Sequence, residues 1–301
     1  TAFEGLFGGK PRQFSQILTK GKVKLFACGT QTSMFVTENN EAYTLGNQYE
    51  SNKGFGTAAQ SYTNPILVNI TKKKIKEVSC GFNHTLLCTV DGELFSGGGN
   101  ESGQLGQRSE NKSGGGLFGS TGQTNNIRQV NHNSKVVSVA AGNGISLIIS
   151  RNKGRNIVEM CGNKSYSKVG MPFEAQHFFM PILELANANI LEIHIKGKHC
   201  AALSHGGRLY TWGLNEFGQL GHGDYINRTT PKFVEFFMDM KVTSVGVGTS
   251  HTLVIAKHPQ EEVPKLYAMG YNNMNRLGIK NKDLVEIPTP VEAFEDKHPL
   301  K

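Results

Sequence analysis

LYTWGLNEFGQLG, residues 209–221, determines the fold of this chain, because four other stretches repeat its pattern. The clearest second copy is LFSGGGNESGQLG at 94–106, and more degenerate copies begin at Tyr43, Met160 and Tyr267. A second sequence motif, a short apolar run that ends in a glycine, precedes each copy. These glycines, called the blade glycines below, are Gly29, Gly81, Gly142, Gly197 and Gly248. Two motifs that recur in a fixed order at a long period indicate a repeat architecture.

The period and the local patterns favour a β-propeller. The blade glycines are 51 to 61 residues apart, longer than helical repeats of about 33–47 residues and closer to propeller blades. Within a unit, the β-rich run 85–90 ends at the hairpin signal Asp91-Gly92, and 93–96 resumes as a partner strand. Most units close with a proline and a short apolar strand, as at Pro65, which suits an edge strand. Four short strands per unit predict propeller blades.

These phrases resemble the repeat of the regulator-of-chromosome-condensation family. The resemblance rests on VSCGFNH at 78–84, the Asp91-Gly92 turn, NESGQLG at 100–106 and WGLNEFGQLG at 212–221. It implies a ring that usually has seven blades. We therefore predict an all-β, single-domain propeller over residues 1–301, with about six to seven blades. Five complete repeat cores are expected near 24–68, 77–130, 138–183, 192–234 and 244–291, with a partial blade at 1–18.

The blade count leaves two alternatives. Either the numbering covers part of a longer chain, which we favour, or the protein is a five- or six-bladed relative in which the two termini share one blade. The partial blade at 1–18 and the need of repeat arrays to cap or close their edges motivate the first alternative.

Composition excludes several classes of protein. No run approaches 18 apolar residues, so we predict no membrane insertion. The five cysteines form no Cys-x-x-Cys pair and no metal-ligand spacing, which fits a reducing intracellular compartment: the cytoplasm, where a cytoskeletal or ciliary site is an option, or the nucleus. Cys28 and Cys80 fill the same repeat position and are expected to be small buried residues of inner strands.

The formal net charge is +8. Lysines cluster at 20–24, 72–76 and 196–199, each near an apolar blade phrase, so we expect them to recur on one rim. Such a rim would suit an acidic protein partner or nucleic acid, and the alternative is ordinary solvated loops.

No catalytic, cofactor-binding or metal-binding residue is predicted. His84 and His251 occupy one repeated slot with no carboxylate or nucleophile beside them, so we expect structural imidazoles bonded to neighbouring backbone carbonyls. His199 is their counterpart in a shorter unit. Trp212 is expected in the packing between blades. The glycine-rich segment 113–122 lacks the Gly-Lys-Ser/Thr ending of a phosphate-binding loop.

The resemblance implies two functions. Founding members of the family are exchange factors for a Ran-like small GTPase, and acidic side chains between the blade glycine and the histidine contribute to their GTPase-facing surface. None of the matching residues here is acidic, which favours a non-catalytic interaction scaffold within a larger cytoskeletal, ciliary or chromatin-associated assembly. A third hypothesis is DNA or nucleosome binding through phosphate contacts alone.

The predicted partner-binding residues fall in two groups. The first follows the blade glycines and would line one face of the ring. The second belongs to a long insertion at 107–126, since long loops on rigid scaffolds are frequently functional. The two groups are Gln31, Asn83, Asn143, Lys198 and Ser250, and Arg108, Lys112, Leu117 and Phe118.

Overall fold

The chain forms β-sheets almost throughout the part that its computed structural model describes, residues 21–30, 32–47, 61–68, 70–107, 124–162, 176–280 and 282–292. These residues contain five antiparallel sheets of four strands, each a propeller blade. In chain order, the strands are β1 (Val23–Cys28), β2 (Thr32–Thr37), β3 (Ala42–Asn47) and β4 (Ser61–Val68) in blade 1; β5 (Ile75–Cys80), β6 (His84–Thr89), β7 (Leu94–Gly98) and β8 (Thr124–Val130) in blade 2; β9 (Lys135–Ala141), β10 (Ile145–Asn152), β11 (Arg155–Gly162) and β12 (Gln176–Pro181) in blade 3; β13 (Ile190–Lys196), β14 (His199–Ser204), β15 (Leu209–Gly213) and β16 (Arg228–Phe233) in blade 4; and β17 (Lys241–Val247), β18 (His251–Lys257), β19 (Lys265–Tyr271) and β20 (Leu284–Pro290) in blade 5.

The blades coincide with the five predicted repeat cores. In every sheet, neighbouring strands are consecutive in sequence, so each blade is a simple meander. The predicted partial blade at 1–18 lies outside the described residues, and the total of six to seven blades stays a prediction. The helices described are three 3-10 turns, Leu183–Leu185, Glu235–Phe237 and Asn273–Asn275. None of the described helices has the length and hydropathy needed to span a membrane.

Turn chemistry explains the hairpins. Gly92 has φ +90°, a conformation that glycine adopts without steric cost, and its amide donates to Thr89 O over 3.0 Å. The predicted Asp91-Gly92 hairpin between β6 and β7 is therefore confirmed.

The closing prolines Pro65 and Pro231 lie in β4 and β16, the outermost strands of their sheets. An edge strand tolerates proline, because an amide that faces away from the sheet makes no hydrogen bond to another strand.

Successive blades bury their apolar side chains against each other. One cluster joins blades 1 and 2, a second joins 2 and 3, a third joins 3 and 4, and a fourth joins 4 and 5. Trp212 is fully buried in the cluster between blades 3 and 4, which confirms the packing role predicted for it. The blades therefore follow one another in sequence order around the axis.

The meander separates the connections onto two faces. In each blade the turn from the first to the second strand and the loop from the third to the fourth strand lie at the same end. We call this end the glycine face, because the blade glycines are there. The hairpins between the second and third strands and the links to the next blade lie at the opposite end, the hairpin face.

One burial prediction is wrong. Cys80 is buried, as expected, but Cys28 in the same slot is exposed. Cys80 packs in the cluster between blades 1 and 2. Cys28 belongs to blade 1, and no described blade precedes blade 1 to cover it. Burial at this slot depends on the neighbouring blade, which the repeat pattern of a single unit does not specify.

Candidate functional site

The inner ring of the glycine face is built by hydrogen bonds between blades. In blades 1, 2 and 3 the amide that follows the blade glycine donates to the carbonyl of the next blade's glycine. These bonds are Thr30 N to Gly81 O at 3.3 Å, Phe82 N to Gly142 O at 3.0 Å, and Asn143 N to Gly197 O at 3.2 Å. The turns that follow Gly29, Gly81 and Gly142 are thus held against the next blade.

Four predicted contact residues are brought to this ring. Asn83, Asn143, Lys198 and Ser250 lie in equivalent turns of four successive blades, and each is half-buried. Their backbones are also bonded within their own blades: Asn83 O accepts from Gly99 N, Lys198 O from Leu214 N, and Ser250 O from Tyr271 N. Gln31, predicted for the same ring, lies outside the described residues.

The four predicted residues of the insertion, Arg108, Lys112, Leu117 and Phe118, also lie outside the described residues. The structure therefore does not connect them with the inner ring. Gln107, at the start of the insertion, is described and donates to Ser96 Oγ over 2.7 Å.

Sequence reasoning missed Glu101. Its Oε2 lies 3.2 Å from Asn83 Nδ2 and 3.4 Å from Gln104 Nε2, so a carboxylate stands directly beside a predicted contact residue. Glu101 comes from the loop between the third and fourth strands of blade 2, and Glu216 occupies the same loop position in blade 4. The recurrence of Asn-Glu at 100–101 and 215–216 was the sequence signal that could have identified this acidic position.

The ring also carries an exposed aromatic ring and a lysine that crosses the axis. Phe82 is 40% exposed. Lys196 Nζ donates to Cys28 O over 2.9 Å, and this bond joins blade 4 to blade 1. The arc of blades therefore curves far enough to bring these two inner strands together.

The lysine clusters do not share one rim, contrary to the prediction. Lys22 and residues 72–74 precede the inner strands β1 and β5, at the hairpin face, whereas Lys196 and Lys198 lie at the end of β13, at the glycine face. Lys73 also pairs with Glu93. An inner strand runs from one face to the other, so a lysine before it and a lysine after it are separated by the length of the strand.

Two of the repeated histidines, His84 and His199, bond a hydroxyl group of the next blade. His84 Nε2 lies 2.9 Å from Ser146 Oγ of the next blade, and that hydroxyl donates to Gln104 O over 2.5 Å. Since its proton is used there, the imidazole must be the donor to Ser146. His199 makes the same bond to Thr252 Oγ1 over 2.9 Å. The imidazoles thus bond a hydroxyl group of the next blade, and backbone hydrogen bonds with Ile145 and His251 also act on His84 and His199.

Burial keeps these imidazoles neutral. Desolvation lowers the pKa of His84 to about 4 and that of His199 to about 3. The pKa of His251 is also lowered by desolvation. The Ser146 and Thr252 hydroxyls that lie beside His84 and His199 donate to backbone carbonyls, so each imidazole donates to its hydroxyl within the packing between blades. Across the described ranges, no group of three or more His, Cys, Asp or Glu side chains could hold a metal ion.

The comparisons with known proteins agree with this architecture. Residues 8–301 match the family model of the RCC1-like domain. The ultraviolet-B receptor UVR8 of Arabidopsis thaliana is 28% identical over 91% of this chain and 58% of its own length. The human X-linked retinitis pigmentosa GTPase regulator is 26% identical over 89% of this chain and 30% of its own. The chain thus spans less than two thirds of either relative.

Solved structures support the same fold. Prp20p from Saccharomyces cerevisiae, whose structure was described with its binding properties to Gsp1p and histones, has a TM-score of 0.73 and 18% sequence identity. The match covers 90% of this chain and 63% of Prp20p. At this identity the likeness concerns the fold.

Proposed function

Because the chain belongs to the RCC1-like domain family, we propose that it is a non-catalytic protein-interaction scaffold that holds a partner on its glycine face. The observation that carries the proposal is the character of the inner ring. Its described positions present Thr30, Phe82, Asn83, Asn143 and Lys198, which are uncharged or basic. A ring of this character is complementary to a partner surface that is neutral or acidic, and it differs from the acidic ring that the family's exchange factors present.

The bonding of the ring also supports a scaffold. The turns are fixed by bonds between blades, and rigid contact surfaces lose less conformational entropy on binding. The relatives include a receptor and a GTPase regulator by name, and Prp20p is described with Gsp1p and histones. Binding to other proteins is therefore described for at least one solved structure with this fold. The five free cysteines fit an assembly in a reducing compartment, the cytoplasm or the nucleus.

A second candidate is nucleotide exchange on a small GTPase, and Glu101 favours it. Its carboxylate lies 3.2 Å from Asn83 Nδ2, so acidic character is present at the outer border of the ring even though the ring positions lack it. A partner that needs an acidic contact would find one there.

Nucleotide release from a panel of purified small GTPases separates the two functions. The scaffold proposal expects release rates within about twofold of the intrinsic rate at micromolar protein. Stimulation of tenfold or more that is lost in Glu101→Gln, but kept in Glu262→Gln on the hairpin face, would establish exchange activity and overturn the scaffold proposal.

Partner capture tests the scaffold directly. We expect Asn143→Glu and Ser250→Glu on the glycine face to abolish capture of cellular partners, because they oppose the proposed charge complementarity, while Gln260→Glu on the hairpin face leaves it unchanged. Deletion of residues 108–123, which spares β8, tests the insertion separately. Unchanged partners in the glycine-face variants would contradict the proposed face.

A further inference from the structure

Three large apolar side chains are exposed together where blade 4 meets blade 5. Tyr225 is 47% exposed, Ile226 is 66% exposed and Ile287 is 48% exposed. The two segments are joined: Gly223 N donates to Glu286 O over 2.9 Å, and the Tyr225 hydroxyl donates to Glu286 Oε2 over 3.2 Å. We call Tyr225, Ile226 and Ile287 the outer patch. Contiguous exposed apolar groups of this kind mark interaction sites more often than scattered single residues do.

The loop that carries the patch is rigid. Arg228 pairs with both carboxylate oxygens of Asp224, at 3.0 and 2.7 Å. The carboxylate also accepts from Ile226 N over 2.9 Å. Asn215 Nδ2 donates to Asp224 O over 2.7 Å, and Asn227 Oδ1 accepts from Asn215 N over 2.6 Å. A loop fixed by this many bonds presents its exposed side chains in one arrangement, which lowers the entropic cost of binding.

The Asp224–Arg228 pair persists well below neutral pH. Its hydrogen bonds to the guanidinium lower the pKa of Asp224 to about 2. The Asp224 carboxylate therefore stays ionised at the pH at which binding would be measured.

A negative charge borders the patch. The Glu286 carboxylate accepts from the Tyr225 hydroxyl, and within the described part of the chain no Lys, Arg or His forms an ion pair with it. A partner that covers the patch would complement this carboxylate with a cationic side chain. The net charge of +8 works against a second copy of the same chain as the occupant, because like-charged molecules repel.

We propose that the outer patch binds an extended segment of a protein partner that presents apolar side chains next to a lysine or arginine. Tyr225 and Ile226 supply the apolar contact, since tyrosine is enriched at binding hot spots. Glu286 pairs with the partner's cation. This inference rests on the proposed scaffold function and adds a second contact surface, at the outer edge of the glycine face, to the inner ring.

A phage library of random 12-residue peptides tests the proposal. The library is selected on the wild-type protein after depletion on Tyr225→Ser/Ile226→Ser. We expect the enriched peptides to combine apolar residues with at least one lysine or arginine. A synthetic peptide from this set should bind the double variant at least tenfold more weakly. Glu286→Gln should weaken binding a few-fold and flatten its salt dependence.

The matched control is Leu183→Ser/Met238→Ser on the hairpin face, where these side chains are 75% and 65% exposed. It removes comparable exposed apolar surface and should leave peptide binding and the unfolding midpoint unchanged. Enrichment of peptides that lack a basic residue, equal binding to the double variant, or no enrichment at all would overturn the proposal. So would a dimer in sedimentation velocity that dissociates in Tyr225→Ser/Ile226→Ser, since the occupant would then be a second copy.

The outcome is separable from that of the scaffold proposal. If the outer-patch variant still captures every cellular partner while the glycine-face variants capture none, the patch proposal fails and the scaffold stands.

Discussion

The blade glycines are required by the neighbouring blade. A Cβ on Gly81 would lie 2.4 Å from Gly142 O and 2.6 Å from His84 Cε1, and a Cβ on Gly29 would lie 2.4 Å from Gly81 O. Only glycine lets the inner turns approach closely enough for the hydrogen bonds between blades. The Gly-x-x-His pattern is thus one unit, in which the missing Cβ makes room both for the next blade and for the imidazole.

Gly81→Ala should therefore be strongly destabilising. Forcing an atom into this space shifts two blades, and overpacking of this kind costs roughly 1–3 kcal/mol or more. Gly246→Ala in β17 is the matched control, because nothing lies within 4 Å of its Cβ position, and we expect it to be neutral or slightly stabilising. Urea unfolding followed by circular dichroism measures both. Equal midpoints for the two variants would contradict the close-approach argument.

The buried histidines should make stability depend on pH. An unfolded histidine titrates near pH 6.5, whereas burial lowers the pKa of His84 to about 4 and that of His199 to about 3. Between these values the unfolded chain binds more protons, so the free energy of unfolding falls as pH falls from about 6.5 toward 4. Each histidine contributes up to about 1.4 kcal/mol per pH unit. His132, whose pKa is raised by its hydrogen bond to Glu159, acts in the opposite direction.

Urea unfolding at pH 7.5, 6.0 and 5.0 measures this slope. His84→Gln/His199→Gln should reduce the slope, because the glutamines do not titrate, while His222, whose pKa is lowered by burial to about 4, keeps part of it. A double variant with the wild-type slope would show that other groups carry the pH dependence.

The partners of these histidines were partly predictable. Ser146 and Thr252 lie 62 and 53 residues beyond their histidines, about one repeat, so an alignment of the repeats places them in the adjacent slot. In blade 3 the histidine slot holds Ile145, and the corresponding partner in blade 4 is Cys200, both in one apolar cluster. The residue in the histidine slot and its partner in the next blade thus change together: histidine pairs with a hydroxyl residue, and Ile145 pairs with Cys200. The sequence of a single unit did not show that the imidazole would bond a hydroxyl, because that requires the register between blades.

At the scale of elements, the loop from the third to the fourth strand is organised by one asparagine. Asn215 Oδ1 accepts from Leu220 N over 2.9 Å, while its Nδ2 donates to Asp224 O over 2.7 Å. The buried Asn215 side chain thus gives hydrogen-bond partners to one backbone amide and one backbone carbonyl that would otherwise lack them. Equivalent bonds are made by Asn100 and Asn272.

The degenerate copy of the repeat in blade 5 keeps the same loop conformation, although it has another residue at a position of positive φ. Asn275 stands where the clearest copy has Gly218, and both have positive φ, +53° and +77°. Asparagine enters this region more readily than most residues. The sequence predicted that the repeats exist, but not how neighbouring loops interlock. A Cβ on Gly218, for example, would lie 2.5 Å from Glu286 Cα of the next blade.

Asn215→Ala should destabilise the protein by a few kcal/mol. It leaves the buried Leu220 amide and the Asp224 carbonyl without partners, and each unsatisfied group costs about 1–3 kcal/mol. Asn273→Ala, which removes an exposed amide from the same kind of loop, should change stability by less than about 0.5 kcal/mol. Thermal unfolding compares the two. A small effect of Asn215→Ala would mean that solvent replaces the lost bonds.

At the scale of the molecule, each described blade is stabilised by its contacts with the blades next to it in sequence. Each of the four clusters between blades joins only successive blades, as in linear repeat proteins, whose stability is a sum of units and nearest-neighbour interfaces. The Lys196 bond to Cys28 O is the described link that joins blades distant in sequence. Among the described blades, cooperativity therefore depends on these four interfaces, and a weak interface would separate the blades on its two sides.

Trp212, the only tryptophan, provides a test of that cooperativity. It is fully buried between blades 3 and 4, so its fluorescence reports on one interface, whereas circular dichroism reports on all sheets. We expect the two urea transitions to coincide, because every described interface is apolar and closely packed. Trp212→Ala should cost roughly 3–5 kcal/mol, and Phe236→Ala, which truncates a partly exposed aromatic side chain, much less. If the fluorescence transition in the wild type came at lower urea than the dichroism transition, blades 3 and 4 would separate before the sheets unfold.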